Sequence, residues 1–129
     1  MTTPVVVLAA VIERGGAFLL TKRLHGTHLE GLWEFPGGKL HPAETHEACL
    51  ERELLEELGA RATIGAEIIA IEHAYPERTV RLHFRRCDLL DEPSPLLGQD
   101  MRWVSREELK TLTFPDADKQ LIEMLTGPV

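Results

Sequence analysis

Residues 5–12, VVVLAAVI, run without a polar side chain and are rich in β-branched residues, the pattern of a strand buried on both faces. Gly15-Gly16 supplies a turn and residues 17–22 return apolar, which predicts a hairpin. The polar stretch 23–31 reads as a solvent-exposed loop, its His25 and His28 lacking further ligands nearby in sequence. Leu32-Trp33-Glu34-Phe35 is a short strand running into Pro36-Gly37-Gly38. The period then becomes helical, from an N-cap at Thr45 to a stop at Gly59, with Ala48, Leu50, Leu54, Leu55 and Leu58 as the apolar side. Residues 62–75 read as a strand interrupted near Gly65, and Pro76-Glu77 as a turn. Residues 79–86 alternate, with Val80, Leu82 and Phe84 on one face and Arg81, His83 and Arg85 on the other. After a loop at 91–95, residues 101–104 form a short strand, and Ser105-x-x-Glu108 is a capping box that opens a short helix. A last helix follows Phe114-Pro115, with Leu121, Ile122 and Leu125 at core spacing. Strands alternating with three helices predict a layered α/β domain.

A length of 129 residues suits one domain with a core of ordinary size, and no linker, repeat or low-complexity segment divides it. The formal net charge of −7 argues against a nucleic-acid polymer as partner, because a phosphate backbone needs clustered Lys and Arg. It leaves room for a single nucleotide that arrives with a divalent cation. Cys49 and Cys87 are too few for a disulfide framework and suit a reducing compartment. Met1-Thr2-Thr3-Pro4 lacks the basic start of a signal peptide, and the apolar run after it is too short to span a bilayer. The expectation is a soluble, cytoplasmic protein with no membrane partner.

Candidate chemistry is concentrated between Gly37 and Ala60, in GGKLHPAETHEACLERELLEELGA. Glu53, Glu56 and Glu57 stand at i, i+3 and i+4 on one helix face, where like charges cost ~0.2–0.5 kcal/mol per pair. Most Glu-rich helices are simply solvated faces. Here an apolar opposite side anchors the carboxylates in fixed geometry, and a divalent cation would offset their repulsion. Hard oxygen donors without imidazole or thiolate suit Mg²⁺ or Mn²⁺. Cys49 falls in the acidic sector and reads as a small packing residue rather than a soft ligand. The Gly37-Gly38-Lys39 run is not a Walker loop, since the rest of that pattern is missing. Its glycines would let the backbone come close to a metal or phosphate.

Gly38, five residues, Glu44, seven residues, then Arg52-Glu53-Leu54-x-Glu56-Glu57-x-Gly59 resembles the Nudix box of pyrophosphohydrolases, in register at every charged and glycine position. Ala60 departs from it, where the family usually has a bulkier aliphatic residue; this bears on packing, not chemistry. The resemblance implies a Nudix-type α/β/α sandwich, with a mixed β-sheet between helices, over residues 1–129 as a single domain. It implies Mg²⁺, with Mn²⁺ as the alternative, held by Glu53, Glu56, Glu57 and the Gly38 carbonyl. Arg52 would orient the carboxylates, and Glu44 would pair with Arg52 or support the metal shell. Glu53 is the first choice of general base, and Asp100, in the loop before the late tryptophan strand, is the alternative.

Outside the box, residues 33–39, 75–78 and 114–118 are similar to the MutT branch, the nucleoside triphosphate pyrophosphohydrolases, in which such segments line the nucleoside pocket. Arg23, Phe35, Arg78 and Asp118 thereby become candidate base contacts. Taken singly, Phe35 also reads as core, Arg78 as a solvated turn residue and Asp118 as a helix-start carboxylate. MutT has an asparagine where Asp118 stands, which leaves the base preference open. The implied reaction turns a nucleoside triphosphate into a monophosphate and pyrophosphate, with an oxidised purine such as 8-oxo-dGTP as first substrate and (d)CTP or a modified pyrimidine as second. A non-catalytic nucleotide reader would have no need of the three glutamates together.

Overall fold

The structure, a computed structural model, describes residues 3–127, so Met1-Thr2 of the non-basic start lie outside the described residues. In chain order the elements are β1 (Val5–Val11), β2 (Glu13–Arg14), β3 (Ala17–Lys22), β4 (Trp33–Glu34), β5 (Gly37–Lys39), α1 (His46–Leu58), β6 (Ala62–Ala74), β7 (Thr79–Leu89), β8 (Met101–Ser105) and α2 (Lys119–Thr126). Short 3-10 turns occupy Glu108–Thr111 and Asp116–Asp118.

One sheet has the order β5-β1-β7-β6 and is mixed: β1 runs parallel to β7 and antiparallel to β5. Its central strand, β1, has no polar residue because it feeds a core on each face. Ala9 and Val11 pack with Phe18, Phe35, Phe84 and Leu121 on the α2 side. Leu8, Ala10 and Ile12 pack with Leu50, Leu54 and Leu58 of α1 on the other. Each of those fully buried leucines contributes roughly 1.5–3 kcal/mol relative to exposure.

A second sheet is antiparallel, with β8 along one edge of β3 and β2 and β4 sharing the other. The expected hairpin of residues 5–12 with 17–22 is corrected: β1 stays in the first sheet and only β2 folds back on β3, through Gly15 and Gly16 at φ of 57° and 80°, both left-handed as a two-residue hairpin requires. The sequence carries no mark of this second sheet, since the chain leaves β1 at Ile12 without a turn residue. Among the described residues no helix is long and apolar enough to cross a membrane.

Helix α1 begins and ends as expected. The Thr45 hydroxyl accepts the Ala48 N–H at 3.0 Å, and Gly59, at φ of 63°, donates to the Leu55 carbonyl at 3.0 Å. Its buried side differs from the expected one: Cys49, Leu50, Leu54 and Leu58 are buried, whereas Ala48 and Leu55 face solvent. The helix is rolled so that Cys49, the residue read as packing, lies against the sheet. A further correction concerns Ser105-x-x-Glu108. The Ser105 hydroxyl does cap the Glu108 N–H at 3.2 Å, but only a 3-10 turn follows, so there are two α-helices among the described residues and not three. Thr111 and Thr113 are weak helix formers and Pro115 blocks continuation.

Strand β5 is drawn tightly onto β1, with Ala10 N–H donating to the Pro36 carbonyl at 2.8 Å and Leu40 N–H to the Val6 carbonyl at 2.9 Å. A Cβ at residue 37 would run into the Leu8 carbonyl oxygen and stand 2.9 Å from Ala9 Cα. No side chain fits there. Gly37→Ala is expected to destabilise the fold by roughly 2–3 kcal/mol, read as a lowered urea midpoint; an unchanged midpoint would mean that β5 can back away from β1.

Candidate active site

Gly38 stands opposite Leu8 of β1, and Leu8 opposite His83 of β7, so one row of residues crosses the sheet. The space that a side chain at 38 would take is filled by Glu53 of α1. A Cβ at Gly38 would lie 2.5 Å from either carboxylate oxygen of Glu53. The glycine thus brings the helix carboxylate directly onto the strand backbone.

Arg52 organises the acids around this contact. Its Nε and Nη2 donate to the two oxygens of Glu44 at 2.7 and 3.0 Å, and its Nη1 donates to Glu53 at 2.7 Å and to Glu56 at 3.4 Å. Nη2 also donates to the Lys39 carbonyl at 3.1 Å, which ties α1 to the end of β5. Hydrogen bonds from Arg52 and from the His41 N–H hold the Glu44 carboxyl down at about 2. Glu44, in return, holds Arg52 protonated well above its ordinary range. Glu44 therefore pairs with Arg52 in the first of the two expected ways.

Glu57, one residue past Glu56, has no such partner. Its Oε2 is buried without a hydrogen bond. Burial, then the charges of Glu34 and Glu53, push its carboxyl up to about 9, against a hydrogen bond from the Gly37 backbone. A buried oxygen left unpaired among carboxylates is costly as an anion, and a cation set among these oxygens would remove the cost. Glu56 lies at the rim with its side chain 58% exposed.

The base-contact candidates share a cleft of about 800 Å³, counting its open mouth, with Gly37 and Gly38 at its lip. Arg23 is fixed in its wall by Nε donating to the His28 carbonyl at 2.7 Å and Nη1 to Glu34 at 3.1 Å. Phe35 is 2% exposed, with the rings of Phe84 and Phe114 both at 5.9 Å, so it forms part of the cleft from within the core. Arg78 is half-buried on the lining, and among the described residues its side chain has no hydrogen bond or ion pair. Asp118 is 4% exposed; burial and then the charge of Glu34 push its carboxyl up to about 8, with Arg23 pulling the other way. The turn carrying Asp118 is held to the sheet by the Ala117 N–H, which donates to the Tyr75 hydroxyl at 3.0 Å.

Gly38, Glu44, Arg52, Glu53 and Glu57 thus come together, Glu56 stands at their edge, and Arg23, Phe35, Arg78 and Asp118 line the adjoining cleft. Asp100 lines neither this cleft nor its neighbour; it is exposed just before β8, its carbonyl accepting the Lys22 N–H at 3.0 Å. His25 is exposed as expected, but His28 is half-buried and meets Tyr75 edge-on at 5.3 Å, a correction to the exposed-loop reading. Glu34 is the residue that pattern reading passed over. It lines both the main cleft and a smaller one beside Thr21, Glu57 and Gln99, and burial raises its pKa against the pull of Arg23. Its signals were a lone carboxylate inside an apolar strand and its place in the MutT-like segment 33–39.

Comparison with known proteins matches this arrangement to a family. The NUDIX domain profile covers residues 7–124. The chain is 37% identical over 118 residues to the CTP pyrophosphohydrolase of Escherichia coli, covering 91% of this chain and 87% of that protein. It is 36% identical over 129 aligned positions to the 8-oxo-dGTP diphosphatase of Haemophilus influenzae, covering 97% of this chain and 94% of that one. Among solved structures, the ORF135 protein of E. coli superposes with a TM-score of 0.83 at 36% identity, over 95% of this chain and 88% of that chain. With near-full coverage in each comparison, the chain belongs to the Nudix hydrolase family.

Proposed function

We propose that this chain is a nucleoside triphosphate pyrophosphohydrolase that converts its substrate to the monophosphate and pyrophosphate with the help of Mg²⁺, Mn²⁺ being the alternative. The observation that carries the reading is Glu57, half-buried with its Oε2 sealed from solvent and unpartnered, beside Glu53, Glu34 and the Gly37 backbone. A donor set of carboxylates and a carbonyl fits a hard cation. Glu53, Glu56, Glu57 and the Gly38 carbonyl would hold it, and when bound it supplies screening of the phosphate charges and polarisation of the attacking water. Glu53 would serve as the base that accepts a proton from the attacking water. Arg52 keeps Glu53 and Glu44 in register through its contacts at 2.7 Å to each, and Glu44 acts as a positioning residue. The same reading takes residues 1–129 as one Nudix domain acting in the cytoplasm, where the two buried free cysteines would stay reduced.

The nucleoside would occupy the cleft with its base toward Asp118. A carboxyl that titrates near 8 is protonated at neutral pH and offers one donor and one acceptor side by side. 8-Oxoguanine has the complement in N7–H beside O6, and cytosine has it in its amino group beside N3. Unmodified guanine offers two acceptors, N7 and O6, on the first of these edges; its pairing edge, O6 beside N1–H, is the same in 8-oxoguanine, so the discrimination rests on the base presenting its N7 edge to Asp118. An oxidised purine such as 8-oxo-dGTP is therefore the first substrate, in line with the 36% identical diphosphatase. (d)CTP is the second reading, favoured by the same neutral acid and by the 37% identical CTP pyrophosphohydrolase.

Pyrophosphate release with Mg²⁺ across ordinary and oxidised triphosphates tests the assignment. A kcat/KM higher for 8-oxo-dGTP than for dGTP supports it, a preference for CTP or dCTP moves it to the second reading, and binding without release from any member would make the chain a reader. Glu53→Gln is expected to lower kcat by about 10²–10⁴-fold with an unchanged unfolding midpoint; near-normal turnover would remove Glu53 from the reaction.

Asp118 also makes a stability prediction. Its folded pKa is about 8 against an ordinary value of 3.8, so between those values the folded state keeps a proton that the unfolded chain has released. Stability then falls as pH rises through that window and levels off above it. Asp118→Asn keeps a donor and an acceptor but cannot ionise. It should gain about 1 kcal/mol or more over the wild type on going from about pH 5 to about pH 8, the contribution of Glu57 being common to both. Its preference among bases should stay level where that of the wild type declines; parallel pH profiles of stability and selectivity would count against an ionising Asp118.

A further inference from the structure

Away from the carboxylates of α1, the described residues bring His46, Glu67 and His83 together, each offering a ligand atom, with all three atoms within 4.8 Å of one another. We propose that these side chains form a second cation site, for a borderline first-row ion of the Zn²⁺ class. Two imidazoles and one carboxylate are the donors such ions favour, whereas Mg²⁺ prefers oxygen alone. The site stands independently of the pyrophosphohydrolase reading.

Its geometry is built by the fold. His46 is the first residue of α1 and its ring centroid is 4.6 Å from that of His83, in the middle of β7. His83 Nδ1 is 2.6 Å from Glu67 Oε1. Donors around a tetrahedral ion at ~2.0–2.1 Å stand roughly 3.3 Å apart, so side-chain rotation alone would close the set. Three protein donors leave a fourth position for water.

Glu67 reaches this face because β6 is irregular on either side of it. The register shifts between Ile64 and Glu67 and again between Glu67 and Ile69. Continued without a shift from the pairing of Ile69 with Phe84, the ladder would set Glu67 opposite Arg86. The bulge sets it opposite Arg85 instead, on the face that Arg85 shares with His83. The residue across from His83 on β6 is Ala70, too small to obstruct an ion. The positive charge nearest in the ladder, Arg85, is turned to the Gly65 carbonyl at 2.8 Å and to Glu47 at 3.7 Å. His83 is 16% and Glu67 42% exposed at the side chain, so an ion could enter from solvent.

The row Gly38–Leu8–His83 puts this site two strand spacings, about 10 Å, from Gly38 on the same face of the sheet. A bound ion would fasten the first turn of α1 to the β6–β7 ribbon. The test is chelator competition for Zn²⁺ under excess Mg²⁺, with thermal unfolding as a second readout, on the wild type and on His83→Ala, His46→Gln and Glu53→Gln. The expected result is saturable binding of a single ion in the wild type and in Glu53→Gln, together with a raised Tm. Each His variant should bind more than about tenfold more weakly and lose the rise in Tm. Circular dichroism of the metal-free proteins establishes folding, and if His83→Ala fails to fold, His46→Gln decides alone. No saturable binding by the wild type, or equal binding by the His variants, would overturn the site and leave an ordinary His–Glu hydrogen bond. Loss of binding in Glu53→Gln alone would place the ion among the helix carboxylates.

Discussion

Charge crowding governs one end of this molecule. Glu34, Glu44, Glu53, Glu56 and Glu57 gather near the Gly37-Gly38 strand, and among the described residues Arg52 and Arg23 are the only cationic side chains paired with them. Arg52 satisfies the outer acids. Arg23 reaches Glu34, and Glu57 is left with a buried oxygen unpaired. Such an arrangement is stable as drawn only with a proton or a cation in the gap, and that requirement links the fold to the proposed chemistry.

The scaffold makes the crowding possible. A central strand with apolar side chains at both parities lets α1 lie on one face and the α2 side close the other. Because β5 carries no side chain at 37 or 38, the helix acids and the cleft meet at bare backbone. The cleft is a continuation of the same core, its wall including Phe35 and Phe84, with Phe114 stacked on Phe35.

Much of this was legible in the chain. The α1 caps at Thr45 and Gly59, the Gly15-Gly16 hairpin and the alternation along β7 follow from local chemistry, and the spacing of Glu53, Glu56 and Glu57 is set by helix periodicity alone. What was not legible depends on long-range packing. The roll of α1 that buries Cys49 and exposes Leu55 is decided by the sheet beneath it, since both residues border the apolar sector. The 3-10 turn at Glu108–Thr111 shows that a satisfied cap does not by itself make a helix. Glu34 and the meeting of His46 with Glu67 and His83 required the tertiary fold, because no short spacing connects them.

The two cysteines have a consequence of their own. Cys49 packs behind the acidic cluster with its Sγ 3.5 Å from the Lys39 carbonyl, and burial pushes its thiol and that of Cys87 up to about 11. At neutral pH only about one such thiol in ten thousand is a thiolate, the form that peroxides attack. A catalyst whose proposed substrates include nucleotides damaged by oxidants would therefore keep its sulfur chemistry silent under the conditions that generate them.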